Sequence, residues 1–115
     1  MGHSCTITER DGVHITGPTG RLDSSNSIAL EKILLELLDT RAPCALLDCA
    51  ALECVFSAGL RVVLMAAKRA RAIQGRQVLC ALRAPVREVF EICGFLQILD
   101  VQPDEAAGLA RLAPA

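Results

Sequence analysis

Two short apolar runs, Ala45-Leu46-Leu47-Asp48-Cys49 and Val78 to Leu82, constrain the fold of this chain more than any other feature. Runs of this kind belong to strands buried on both faces, and such strands need helices covering their sheet. The chain supplies those helices. Leu30, Ile33, Leu34, Leu37 and Leu38 fall at i, i+3, i+4, i+7 and i+8, which leaves Glu31, Lys32, Glu36 and Asp39 for water. A second helix is predicted to begin near Ser57, with Leu60, Val63, Leu64 and Ala67 on one face, Arg61, Lys68 and Arg71 elsewhere, and Gly75 as its C′ stop. Pro85 suits the first turn of a third helix, whose apolar face is Val86, Val89, Phe90 and Cys93 before Gly94. Ile98-Leu99-Asp100-Val101 reads as a strand, and Asp104 as the cap of a last alanine-rich helix through Leu109 and Leu112.

Ahead of this part, Cys5-Thr6-Ile7-Thr8 and Val13-His14-Ile15-Thr16 alternate around the turn pair Asp11-Gly12 and read as a β-hairpin. On that alternation His14 points opposite to Val13 and Ile15, and a solvent-facing histidine is expected. Gly17-Pro18-Thr19-Gly20 breaks the pattern; Asp23, Ser24 and Ser25 then offer side-chain oxygens to cap the first helix, and Pro43 ends it. The expected order is β-β-α-β-α-β-α-β-α. That is an α/β domain with a mixed sheet of about four to five strands, antiparallel in the opening hairpin and largely parallel beyond it, and about four helices. A chain of 115 residues accommodates one such domain, expected to span 1–115 with its core over about 4–112.

Hydrophobic residues make up 52% of the chain, yet no apolar run reaches the roughly 18 residues of a spanning helix, so the surplus is assigned to the core and no membrane insertion is expected. Twelve basic residues against thirteen acidic, no basic run and 3% aromatic residues argue against nucleic-acid binding. The six cysteines lack a close C-x-x-C pair, and no signal peptide precedes them, which points to reduced thiols in a cytoplasmic protein. His3 and His14 alone could add nitrogen ligands, and both fall in the hairpin region, so neither metal nor other cofactor is expected. Met1-Gly2 with Thr6 matches the loose myristoylation pattern by chance, since no basic patch follows. No glycine-rich phosphate loop and no nucleophile with a histidine base points to an enzyme. Asp48 at a strand end imitates a receiver phosphoacceptor, but Glu9 and Asp11 in a hairpin turn do not supply the acidic pair that would hold magnesium.

The informative stretch is Leu52-Glu53-Cys54-Val55-Phe56-Ser57-Ala58-Gly59-Leu60-Arg61, a loop running into the second helix. Ser57 has two readings there. It can serve as an N-cap for the free backbone N–H groups. It can also be an exposed phosphorylation switch, because a phosphate adds nearly two negative charges at the positive end of a helix, which the domain tolerates and a docked partner surface does not.

Ser57-Ala58-Gly59-Leu60-Arg61 after a strand resembles the signature loop of the STAS-domain anti-sigma factor antagonists, often written D-S-S-G or S-S-A-G-L-R. Gly20-Arg21-Leu22-Asp23 resembles the G-x-L-D segment of that family. Ala84-Pro85-Val86-Arg87-Glu88-Val89-Phe90 followed by Gly94-Phe95 resembles its late helix. The resemblance places Ser57 on the family's phosphorylated serine and implies a partner switch. The unphosphorylated form binds an anti-sigma factor that is also a serine-protein kinase and so frees a sigma factor; phosphorylation at Ser57 ends that binding, and a phosphatase restores it. ATP belongs to the partner. The implied partner surface is Asp23, Ser24, Ser25, Phe56, Ser57, Ala58, Gly59 and Arg61. Asp23 has a second reading as a helix cap, and Arg61 as an ordinary exposed arginine or the mate of an acidic group or phosphate. One position departs from the pattern: Phe56 stands where the family often has Asp or Ser, either as an apolar anchor for the partner or tucked under the loop. The alternative within the fold is an unphosphorylated STAS scaffold or subunit of a transport or stress-signalling complex.

Overall fold

The opening hairpin is longer than its alternation suggests. In the computed structural model, which describes residues 4–10, 12–40 and 44–112, β1 is Ser4–Arg10 and β2 is Val13–Leu22. Met1, Gly2, His3, Asp11 and Pro43, invoked above, lie outside the described residues. The strands pair antiparallel from Arg10 opposite Val13 to Ser4 opposite Thr19, and this pairing carries β2 through Gly17-Pro18-Thr19; the expected break is confined to Gly20, whose φ is 76° and after which the register of the strand shifts. Gly12 turns the chain with φ near 80°, a conformation glycine adopts without strain.

There follow α1 (Ser27–Thr40), β3 (Cys44–Asp48), β4 (Leu52–Val55), α2 (Ser57–Ala72), β5 (Arg76–Cys80), α3 (Ala84–Ile92), a single 3₁₀ turn at Phe95–Gln97, β6 (Asp100–Gln102) and α4 (Glu105–Leu112). The sheet runs β1-β2-β3-β5-β6, with β4 set against the far end of β2; every pairing after the hairpin is parallel. This is the expected α/β class with its mixed sheet and four helices. Among the described residues it has six strands, because the stretch expected as a loop contributes β4.

One face of the sheet is covered by α1, α2 and α3, whose Leu30, Leu34, Leu60, Val63, Val86 and Phe90 close over Leu22, Leu47, Leu52, Val55 and Leu79. The other face carries Val13, Ile15, Leu46, Val78 and Cys80 and is closed by Leu112 of α4, with Leu109 packed beside it. Two covered faces explain why His14 is 4% exposed and not solvent-facing as expected: it does point opposite to Val13 and Ile15, but that side of β2 lies under α1. Asp104 caps α4, its carboxylate accepting the Ala107 N–H at 2.8 Å, and Pro85 sits in the first turn of α3. Cys93, assigned above to the apolar face of α3, is exposed just past the end of that helix.

Candidate functional site

β2 and β4 run parallel, so they end on the same edge of the sheet. The Gly20 N–H donates to the Ala51 carbonyl at 2.9 Å, and the Phe56 N–H donates to the Leu22 carbonyl at 2.9 Å. That second bond brings the turn after β2 beside the start of α2, and so unites the two segments singled out in the sequence. α2 then has to pass close over the end of β2. A Cβ on Gly59 would stand 2.6 Å from Leu22 Cγ and 3.1 Å from the Leu22 carbonyl oxygen, so only glycine lets the first turn of α2 seat there.

The turn Asp23–Asn26 is held by its own side chains. Asp23 Oδ1 accepts hydrogen bonds from the Ser25 N–H at 2.9 Å and from the Ser25 hydroxyl. Those two bonds, with the charge of Arg21 nearby, hold the Asp23 carboxyl below its ordinary value, so it is ionised at neutral pH. Asp23 and Ser25 therefore shape the turn and do not cap α1 with their side chains, as was expected; the Asp23 contribution to the helix is its carbonyl, which accepts the Ser27 N–H at 2.9 Å. Ser24 and Ser25 are exposed.

Ser57 is the first helical residue of α2 and is exposed. The N-cap position is held by Phe56, in extended backbone with φ −104° and ψ 176° and no side-chain hydrogen bond to the helix. The expected serine cap is thus displaced by one residue, because the β2–β4 pairing carries the strand to Val55 and fixes where the helix begins. The first turn of α2 carries no acidic residue either, so the positive end of its dipole has neither a capping side chain nor a neutralising charge in that turn. Phe56 is 43% exposed, with the Arg21 guanidinium 5.2 Å above its ring; it does not tuck under the loop. Ala58 is half-buried and Arg61 is exposed one turn beyond Ser57, its guanidinium 3.4 Å from Met65 Sδ.

Two residues that shape this edge were not assigned to it from sequence. Arg21 covers the Phe56 ring. Asn26, 7% exposed, accepts the Asp23 N–H at 3.0 Å through Oδ1 and donates through Nδ2 to the Arg21 carbonyl at 2.7 Å. An asparagine just before an apolar helical period is a signal that could have found it. Elsewhere, burial pushes the Cys49 thiol up, and burial followed by the Asp48 charge pushes Cys80 up to about 12, so both behave as small apolar residues. The six cysteines are free thiols. Among the described residues no group of three or more His, Cys, Asp and Glu is placed to share a metal ion, and no helix is long and apolar enough to cross a membrane.

The family profile of the STAS domain matches residues 4–108. BtrV of Bordetella bronchiseptica, a protein named as an anti-sigma factor antagonist, is 42% identical over 110 residues, covering 96% of this chain and 95% of its own. An anti-sigma factor antagonist from Thermotoga maritima superposes with a TM-score of 0.88 over 94% of this chain and 93% of its own, at 17% identity. SpoIIAA in its unphosphorylated form gives 0.80 over 94% and 95%, at 18% identity. The phosphorylated form of the Bacillus cell fate determinant SpoIIAA gives 0.75 over 96% and 100%, at 16% identity. At those identities the solved structures establish the shared fold.

Proposed function

This chain belongs to the STAS-domain family, among its anti-sigma factor antagonists, and from that premise we propose that it is a partner switch acting by protein binding and controlled at Ser57. The observation that carries the reading is the start of α2, where an exposed serine occupies the first position of a helix whose N-terminus has no side-chain cap and no acidic residue. A phosphate on Ser57 adds close to two negative charges where the helix dipole favours them, so the domain keeps its fold. The same dianion is costly inside a protein interface that has no arginines waiting for it, and binding is lost. Phe56 supplies an apolar anchor beside the switch. The ionised Asp23, Ser24 and Ser25 on the neighbouring turn, with Ala58 and Arg61, complete the docking edge, and Gly59, buried against Leu22, sets how closely the helix lies to that turn.

The partner in this reading is an anti-sigma factor with serine-protein kinase activity, which brings the ATP and is occupied by the unphosphorylated form so that a sigma factor is released. A phosphatase reverses the modification, and the exchange takes place in the cytoplasm. SpoIIAA, known in unphosphorylated and phosphorylated forms on the same fold, supports a domain that survives the modification. The exposed aromatic at position 56, where the family often has a polar residue, favours one rival: constitutive binding as a scaffold or subunit of a transport or stress-signalling complex.

The two are separated by capturing partners from the source cell on wild-type, Ser57→Asp and Ser57→Ala protein and identifying them by mass spectrometry. Recovery of an ATP-binding anti-sigma kinase by wild type and Ser57→Ala, with the Asp variant reduced at least about tenfold by the uncompensated charge, is the expected result. Equal recovery by all three, or of transporter subunits, overturns the switch.

A further inference from the structure

At the opposite edge of the sheet from Ser57 lies a second polar feature that the switch does not use. β6 begins at Asp100, opposite Val78, so the first two residues of β5, Arg76 and Gln77, extend past the end of β6. The space left there is a cavity of about 240 Å³, walled by Ala70 and Arg71 at the end of α2, Leu99 before β6, Arg76 and Gln77 on β5, and Arg111 on α4. Gln77 is 7% exposed, and neither its amide nitrogen nor its amide oxygen has a hydrogen-bond partner among the described residues. A buried primary amide with donors and acceptor all unpaired is expensive and rare in a native core. An apolar residue would fill this position more cheaply, as Val78 and Leu79 do next to it.

The surroundings specify what the amide faces. Three arginines line the cavity against one carboxylate, Asp100, which is already engaged by Arg111 at 2.9 Å and by the Gln102 amide at 2.7 Å. Arg76 donates a bond to the Arg111 carbonyl at 2.6 Å and its charge acts on Asp100, while Arg71 stands exposed on the last turn of α2. Gln77 leaves β5 on the α2 face, where Ala70 and Arg71 lie, and Arg76 on the α4 face beside Arg111. A guanidinium such as that of Arg71 recognises oxyanions, phosphate and carboxylate alike. A buried amide beside it requires a ligand that both accepts and donates.

We propose that this cavity binds a small oxyanion carrying a hydrogen-bond donor, a hydrogenphosphate or a hydroxycarboxylate, held by Arg71 and read by Gln77. The site is independent of the switch: Ser57 and Arg71 lie near opposite ends of α2, roughly 21 Å apart along the helix at about 1.5 Å per residue.

The test is a two-dimensional ¹H–¹⁵N NMR titration of the full chain, with hydrogenphosphate in one arm and malate in the other. The Gln77 side-chain amide and the Arg71 Nε–H signals are expected to shift and saturate in at least one arm, which also identifies the anion class. Gln77→Leu and Arg71→Gln should each weaken that binding by about tenfold, the loss of one hydrogen bond within a charge-assisted set. Gln77→Leu should not lower the melting temperature, because it replaces an unpaired buried amide by an apolar group of similar size. Arg71→Gln, on an exposed helix position, provides the arm that no folding defect can imitate. Shifts that stay linear and spread over all exposed arginines, or binding unchanged in Arg71→Gln, overturn the site.

Discussion

At its C-terminus α2 is closed by backbone and by charge, whereas at its N-terminus it is left open. Past Ala72, the Gly75 N–H reaches the Ala70 carbonyl at 2.6 Å and the Gln74 N–H reaches the Arg71 carbonyl at 3.1 Å, a complete Schellman closure. Arg69 and Arg71 lie in the last turn with the favourable sign for the dipole, and Arg69 ties the helix to Asp39 of α1 at 2.9 Å. At the other end Phe56 occupies a position where Ser, Asp or Asn would stabilise the helix by about 1 kcal/mol, and Ser57 stands exposed one residue too late to do so. The contrast teaches that the N-terminus is held in place by tertiary contact and not by capping. Its position comes from the Phe56–Leu22 hydrogen bond and the seat of Gly59 on β2, and its electrostatics are left for something else to complete.

The sharpest way to break that comparison is to remove the seat. Gly59→Ala forces a methyl group against Leu22, part side chain and part backbone, and is expected to cost about 2 kcal/mol, read as a lower urea midpoint at unchanged slope. Partner binding should weaken as well, since the first turn of α2 is displaced from the Asp23 turn. An unchanged midpoint would mean that the open end is not anchored by this contact.

The same pair of helix ends shows what could be read from the residues. Gly75, expected as the C′ stop of α2, stands one residue late: C′ is Gln74, with φ 62°, and Gly75 follows it and closes on the Ala70 carbonyl, because the closure needs a positive φ at C′ and glycine is merely preferred there. At the N-terminus the motif Ser57 to Arg61 was legible, and with it the helix and the exposed serine. β4 was not legible, because Leu52-Glu53-Cys54-Val55 buries only its two ends and has no strand period; it exists because β2 runs on past Gly20 and offers an edge to pair with. That same pairing, a tertiary event, moved the cap from Ser57 to Phe56. His14 makes the parallel point for burial: alternation tells which residues share a face but not what covers it. Apolar periodicity located α1, α2 and α3 because each buries one stripe against the sheet, while the asparagine that braces the site, Asn26, is a single polar residue with no period to announce it.

Completing the end that is already closed sharpens the comparison in the other direction. Gln74→Gly relieves a non-glycine residue of its left-handed conformation at a surface position and should stabilise the domain by about 1 kcal/mol, seen as a higher denaturation midpoint. Binding of the partner should be unaffected, because Gln74 lies at the far end of the helix from Ser57. Weakened binding would show that the two ends communicate through α2.

The smallest effect is the most discriminating, because it asks whether the open end accepts negative charge. Ser57→Asp places a carboxylate in the first turn of α2, where it should gain roughly 0.5 kcal/mol at low ionic strength. The ionised Asp23 on the adjoining turn opposes part of that gain, and the Arg61 guanidinium one turn further along the helix supports it. Both are surface interactions, so the gain should fade toward zero near 1 M salt, where the screening length is about 3 Å. The measurement is the difference in melting temperature between Ser57→Asp and wild type, followed as salt is raised. A small positive difference that salt removes says that the domain itself welcomes charge at Ser57, so the lost binding of the same variant is a property of the interface. A negative difference that salt relieves would instead mean that Asp23 dominates the helix end, and that modification acts by straining the two turns apart.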